Sequence, residues 1–176
     1  MKNIIKYIYA IIISILYVSC NSTECTLSIE QIAQLKQIRF YKYENGNIKV
    51  KHEKEGTFFN DKLVGFYEGH VDLGIDFDKN TFNSIVSDNG KTVVINTKII
   101  ILNSKNGFIT NQRYQEVGSF TNEERAQLDK EANEKILEEC KNNNGFEEAK
   151  INSEQEMIKI LKSMGFENIT INFQQF

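Results

Sequence analysis

Glu68, His70, Asp72, Asp76 and Asp78 fall at even spacing in the stretch GFYEGHVDLGIDFD, which begins at Gly65. On a strand such residues share one face, with neighbours about 7 Å apart. Carboxylates around an imidazole supply a donor set for a divalent cation, Ca²⁺ first among them because most donors are oxygens, or for a small ligand. A plainer account is the wet face of a half-exposed antiparallel strand, where charge is expected. We prefer that account, because a straight strand sets carboxylates too far apart to share an ion without a second element. Asp76 and Asp78 also suit a strand end, where short acidic side chains bond the backbone of the next turn. Glu68, His70, Asp72 and Asp76 stand as weak ligand-binding candidates. No catalytic residue, cofactor or resident metal is assigned. The chain has only two histidines, His52 and His70, and lacks a Gly-rich phosphate loop, a Cys-x-x-Cys and a His-Glu-x-x-His.

The residues between those candidates are apolar. Tyr67, Val71, Leu73, Ile75 and Phe77 alternate with them, the period of a strand with one buried face. A turn at Asp88-Asn89-Gly90 leads into a second apolar run, Lys91 to Leu102, and the two halves are expected to form the sheet core. Upstream, Phe40, Tyr41 and Tyr43 precede Asn45-Gly46-Asn47, and Ile48 and Val50 follow; Asn-Gly between two such runs predicts a hairpin turn. Lys79 to Val86 reads as irregular, with Phe82 and Ile85 inward. Phe108 to Phe120 touches the core without a clean period.

Thr121-Asn122-Glu123-Glu124 is a capping box that starts a helix. Leu128, Ala132, Ile136 and Cys140 form its narrow apolar stripe, and Glu131 and Lys135 are spaced to pair. Asn142 to Gly145 breaks it. A second helix carries Phe146, Ala149, Met157, Leu161 and Met164, and is capped by Gly165 with Phe166 folding back. Ile169, Ile171 and Phe173 alternate in a last strand. The fold class expected is α+β: an antiparallel sheet of four to six strands, partly covered by a C-terminal helical hairpin, with a final C-terminal strand.

At 176 residues the chain suits one domain. Its net charge of −3 names no partner, and no run of basic residues suits nucleic acid. The first residues are different in kind. Lys2 and Lys6 precede an uncharged apolar run, Tyr7 to Val18, that is too short to span a bilayer. Ser19-Cys20 closes it. This anatomy resembles a bacterial lipoprotein signal, with Tyr17-Val18-Ser19-Cys20 as the lipobox and Tyr17 where leucine is commonest. The resemblance implies a signal peptide over residues 1–19, palmitate-type acylation of Cys20 and a mature chain made more acidic by loss of Lys2 and Lys6. Residues 20–26 form a polar tether, and its segment Asn21 to Thr26 reaches about 20 Å. A short helix from Ser28, bearing Ile29, Ile32, Leu35 and Ile38, opens a single domain over residues 27–176. Cys25 and Cys140 are left; two unpaired thiols are preferred to a bridge.

Gly74-Ile75-Asp76 at a strand end, the Gly90-Lys91-Thr92-Val93-Val94-Ile95 strand after a turn, and the helix pair closing on Gly165-Phe166 resemble, in order and spacing, the bacterial family catalogued as domain of unknown function 4230. The family often has Leu-Pro after the second strand, where Asn96-Thr97 stands here. The resemblance implies an N-terminal anchor and no known activity. The function expected is a lipid-anchored cell-envelope protein, held outside the cytoplasm, acting without catalysis by binding an envelope partner or its own kind. Asn21 after Cys20 favours the outer membrane. The alternative is a small enzyme or ligand- or metal-binding domain using Glu68, His70 and Asp72.

Overall fold

In the computed structural model the described residues are 36–56, 59–78, 82–87 and 90–174. Two long strands, β1 (Gln37–Lys54) and β2 (Asp61–Asp76), pair antiparallel along their whole length. After them come β3 (Phe82–Val86), β4 (Thr92–Thr97), the two-residue β5 (Ile100–Ile101) and β6 (Ile109–Val117). Helices α1 (Asn122–Asn142) and α2 (Gly145–Ser163) follow, and β7 (Asn168–Phe173) is the last element among the described residues.

The strands form two sheets. In the first, β2 is central, with β1 on one side and β6 and then β5 on the other, all antiparallel. In the second the order is β3-β4-β7: β3 runs antiparallel to β4, and β7 runs parallel to it. A parallel partner needs a long crossover; β5, β6 and both helices lie between β4 and β7. The helical hairpin lies on β1 and β2. Leu128, Ala132, Ile136 and Cys140 of α1 and Ala149, Met157 and Leu161 of α2 are buried there with Val71, Leu73 and Ile75 of β2. Val93 and Ile95 of β4 belong to the same core. Gly69 permits the close approach: a Cβ there would lie 2.5 Å from the Phe108 carbonyl oxygen and 2.6 Å from Ile136 Cδ1.

The α+β architecture, helical hairpin and last strand are as expected. The capping box forms, with Glu124 N–H donating to Thr121 Oγ1 at 3.2 Å and Thr121 N–H donating to Glu124 Oε2 at 2.7 Å. Lys135 and Glu131 pair at 3.0 Å. Gly165 has φ +92°, and Phe166 N–H donates back to the Leu161 carbonyl, closing α2.

Several expectations are corrected. Asn45-Gly46-Asn47 makes no hairpin: β1 continues through it, and the register slips between Gly46 and Ile48. Asn47, at φ +122°, is the extra residue of a bulge. The run Lys91 to Leu102 is not one strand, because Thr92–Thr97 joins the second sheet and Ile100–Ile101 the first. The two halves of the central stretch therefore share a sheet only through β5: β4 belongs to the other sheet and joins β2 only in the common core. Phe82–Val86 is a strand, with Phe82 buried but Ile85 57 % exposed on its outer side. Phe108 to Phe120 resolves into β6, whose Val117 is 66 % exposed. Cys20, Cys25, the polar tether and most of the helix expected from Ser28 lie outside the described residues; Ile38, the last residue of that helix's apolar side, lies in β1 opposite Ile75, so no helix extends to it.

Candidate functional site

The outward face of β2 carries the residues singled out above, and its neighbours decide what each one does. Glu44 of β1 stands opposite His70, and Lys42 opposite Asp72. His70 Nε2 is 3.5 Å from Asp72 Oδ2, and Arg39 Nη1 reaches the other oxygen of the same carboxylate at 3.2 Å. Asp76 accepts from Gln37 Nε2 at 2.8 Å and from the Asp78 backbone N–H at 2.9 Å, the strand-ending role expected of it. Glu68 accepts from Asn111 of β6 at 3.3 Å.

Glu68 and His70 share a shallow notch of about 410 Å³ with Lys42, Glu44 and Thr110. The notch has a local cause. β1 is bulged at Asn47 and β6 is bulged at Thr110, so both partners of β2 lose register beside Glu68. Bulges bend strands and raise local twist, which opens a concavity in an otherwise even face. The Lys42 ammonium, 2.6 Å from Glu44, holds that carboxyl below its usual range. Asp72 lies beyond the notch. Asp76 is eight residues from Glu68, about 26 Å along a strand. Among the described residues no three of His, Cys, Asp and Glu are grouped so as to hold a metal ion.

Two contributors were not visible in the sequence. Asn103 stands beside β2 where no strand pairs: its Nδ2 donates to the His70 carbonyl at 2.9 Å and its Oδ1 accepts from Asp72 N–H at 3.0 Å. It continues the ladder between β6 and β5 and fixes the backbone under His70 and Asp72. The second is a basic half of the same face. Rows across β1, β2 and β6 read Lys49–Phe66–Arg113, Lys51–Val64–Gln115 and Glu53–Lys62–Val117. Lys49 Nζ lies 5.6 Å and Arg113 Cζ 5.3 Å from the centre of the half-buried Phe66 ring, within cation–π range. Lys51 pairs with Glu53 at 2.5 Å. Cations from β1 and β6 thus meet over one aromatic ring of β2, and reading any single strand does not show it.

Away from this face, Cys140 is an unpaired, fully buried thiol whose pKa burial pushes up to about 11. That makes it an inert packing residue.

The family model described as "Protein of unknown function (DUF4230)" matches residues 30–171. The chain belongs to the DUF4230 family. The match takes in both sheets of this DUF4230 domain almost entirely and the whole helical hairpin. No curated protein and no solved structure matches the chain.

Proposed function

We propose that this DUF4230 protein is a lipid-anchored component of a bacterial cell envelope that works by binding, with the outward face of β1, β2 and β6 as its recognition surface. The observation that carries the reading is the row Lys49–Phe66–Arg113 with Lys51 and Lys62 around it. Aromatic and arginine side chains are enriched where proteins meet partners. The acids on the same face already have intramolecular duties: Asp72 answers Arg39, Asp76 answers Gln37, and Glu44 answers Lys42. A face whose carboxylates position its own strands supports recognition better than proton transfer. The attachment rests on Lys2, Lys6, the apolar run and Ser19-Cys20. Among the described residues no helix is long and apolar enough to cross a membrane. Acylation at Cys20 with more than one chain gives a durable hold, since each buried methylene contributes about 0.8 kcal/mol and one chain alone binds marginally.

Photo-crosslinking in cells tests the surface. A benzophenone amino acid at Phe66 is expected to give discrete adducts. The same probe at Ile151, 46 % exposed on α2, is expected to give none. Equal labelling from both positions, or none from Phe66, contradicts the reading.

A further inference from the structure

The recognition surface runs out to one end of the β1–β2 pair, and that end is apolar at its tip. Phe59, in the connection between the two strands, is 85 % exposed. Val117, at the end of β6 and opposite Lys62, is 66 % exposed. They are the two most exposed large apolar side chains among the described residues. Asp61 ties the connection to the end of β6: a Cβ on Gly118 would lie 2.2 Å from its carboxylate carbon. Apolar groups left exposed together mark contact with a protein or a membrane.

Behind the tip the outward face is mainly cationic. Lys49, Lys51, Lys62 and Arg113 are all exposed there. Lys49 and Arg113 lie over the Phe66 ring, and among the described residues neither they nor Lys62 make an ion pair. Glu53, the one acid in the same three rows, is held by Lys51 at 2.5 Å, which lowers its pKa. Of the acids nearby, Glu116 answers Arg125 at 2.9 Å and Glu124 answers Lys54 at 2.8 Å, both on the helix side. Asp61 is packed against Gly118, and Glu55 stands exposed beside the connection. The apolar side chains therefore lead and the cations follow. Lys62 is three residues from Phe59, and the row of Lys49 and Arg113 is four residues further along β2, about 13 Å. A bilayer presents its groups in the matching order, acyl chains beneath phosphates, and interfacial binding combines apolar insertion with attraction of Lys and Arg to anionic lipids.

We propose that the partner met at this face is an anionic phospholipid bilayer, entered by the end of the β1–β2 pair. Phe59 and Val117 pass below the phosphates, and Lys49, Lys62 and Arg113 bind them. The proposal rests on this face being the recognition surface and names what it recognises.

The test uses the full chain with Cys20→Ala and Cys25→Ser, which leaves Cys140 buried as the native thiol. A polarity-sensitive nitrobenzoxadiazole fluorophore is placed on Asn60→Cys, next to Phe59, or on Ile151→Cys of α2. Vesicles contain phosphatidylglycerol and phosphatidylcholine in equal parts, or phosphatidylcholine alone. Tyr7 to Val18 is apolar enough to attach the chain to either vesicle, so the local probe is read and not total binding. The probe at residue 60 should at least double its fluorescence on the anionic vesicles only, and the probe at residue 151 should not change on either. Phe59→Asp, and separately Lys62→Glu with Arg113→Glu, should each abolish the response and leave the melting temperature unchanged. A probe at residue 60 that stays unchanged, that brightens equally on phosphatidylcholine, or that responds as before in both variants overturns the proposal. A silent residue 60 together with protein adducts from Phe66 retains the recognition surface and gives it a protein partner instead, so the two readings fail separately.

Discussion

Asp129 binds two phenols at once. Tyr67 of β2 donates to its Oδ1 at 3.0 Å, and Tyr114 of β6 donates to the same oxygen. The two rings meet edge to face, 6.2 Å apart, so one carboxylate of α1 ties the helix to two strands. Burial first, and then the bond to Asp129, raises the pKa of both tyrosines. The fold therefore keeps protons that the unfolded chain gives up near pH 10. This contribution is complete below that pH and is lost as pH rises above it. Urea midpoints should fall above about pH 10, with Tyr67 and Tyr114 ionising only as the protein unfolds, a change followed by absorbance at 295 nm. Asp129→Ala leaves two hydroxyls without their acceptor and should cost about 2–3 kcal/mol, measured by the same urea titration at pH 7. Thr97 poses the opposite case. Its hydroxyl is buried and has no hydrogen-bond partner among the described residues. Thr97→Val keeps the shape and should stabilise by about 1 kcal/mol; a loss of stability would show that the hydroxyl has an acceptor.

At the scale of elements, α1 is the best specified. Its capping box joins it to the far end of the β1–β2 pair, because Lys54 Nζ reaches Glu124 Oε1 at 2.8 Å and lies 4.4 Å from the centre of Phe120. Thr121→Ala should cost about 1 kcal/mol in thermal or urea unfolding. The bond from Lys54, and then that from the Thr121 amide, lowers the Glu124 pKa. That contribution is present above the unfolded value near pH 4.3 and disappears as pH falls. Glu124→Gln should therefore weaken the fold at pH 7 and make little difference at pH 3. This helix was legible in the sequence because its signals are local: a cap, a stripe and an asparagine-rich break. The face of β2 was legible for the same reason, since alternation needs only one strand. What depended on pairing was not. Asn45-Gly46 carries a turn signal, yet its strand has sixteen residues of β2 to pair with, and the ladder absorbs the signal as a bulge. Val93 and Ile101 look alike as apolar residues, and nothing local shows that they belong to different sheets. Lys49, Lys51, Lys62 and Arg113 share a face only once two registers, β1 on β2 and β2 on β6, are fixed.

The whole molecule has two distinct ends. β2 extends about 50 Å at ordinary strand rise. At one end Phe77 N–H donates to the Lys36 carbonyl at 2.7 Å, where the described chain begins. At the other, in the β1–β2 connection, Phe59 is 85 % exposed. Phe66 lies eleven residues from Phe77, about 35 Å away along the strand. The described chain thus begins at the end remote from the proposed recognition surface. The proposed membrane attachment depends on Cys20 being acylated. Cells grown with an alkyne analogue of palmitate, followed by capture of the full chain and detection of the alkyne, test it directly. The account predicts label on the native protein and none on Cys20→Ala. A native protein without label, or label that survives Cys20→Ala, would contradict it.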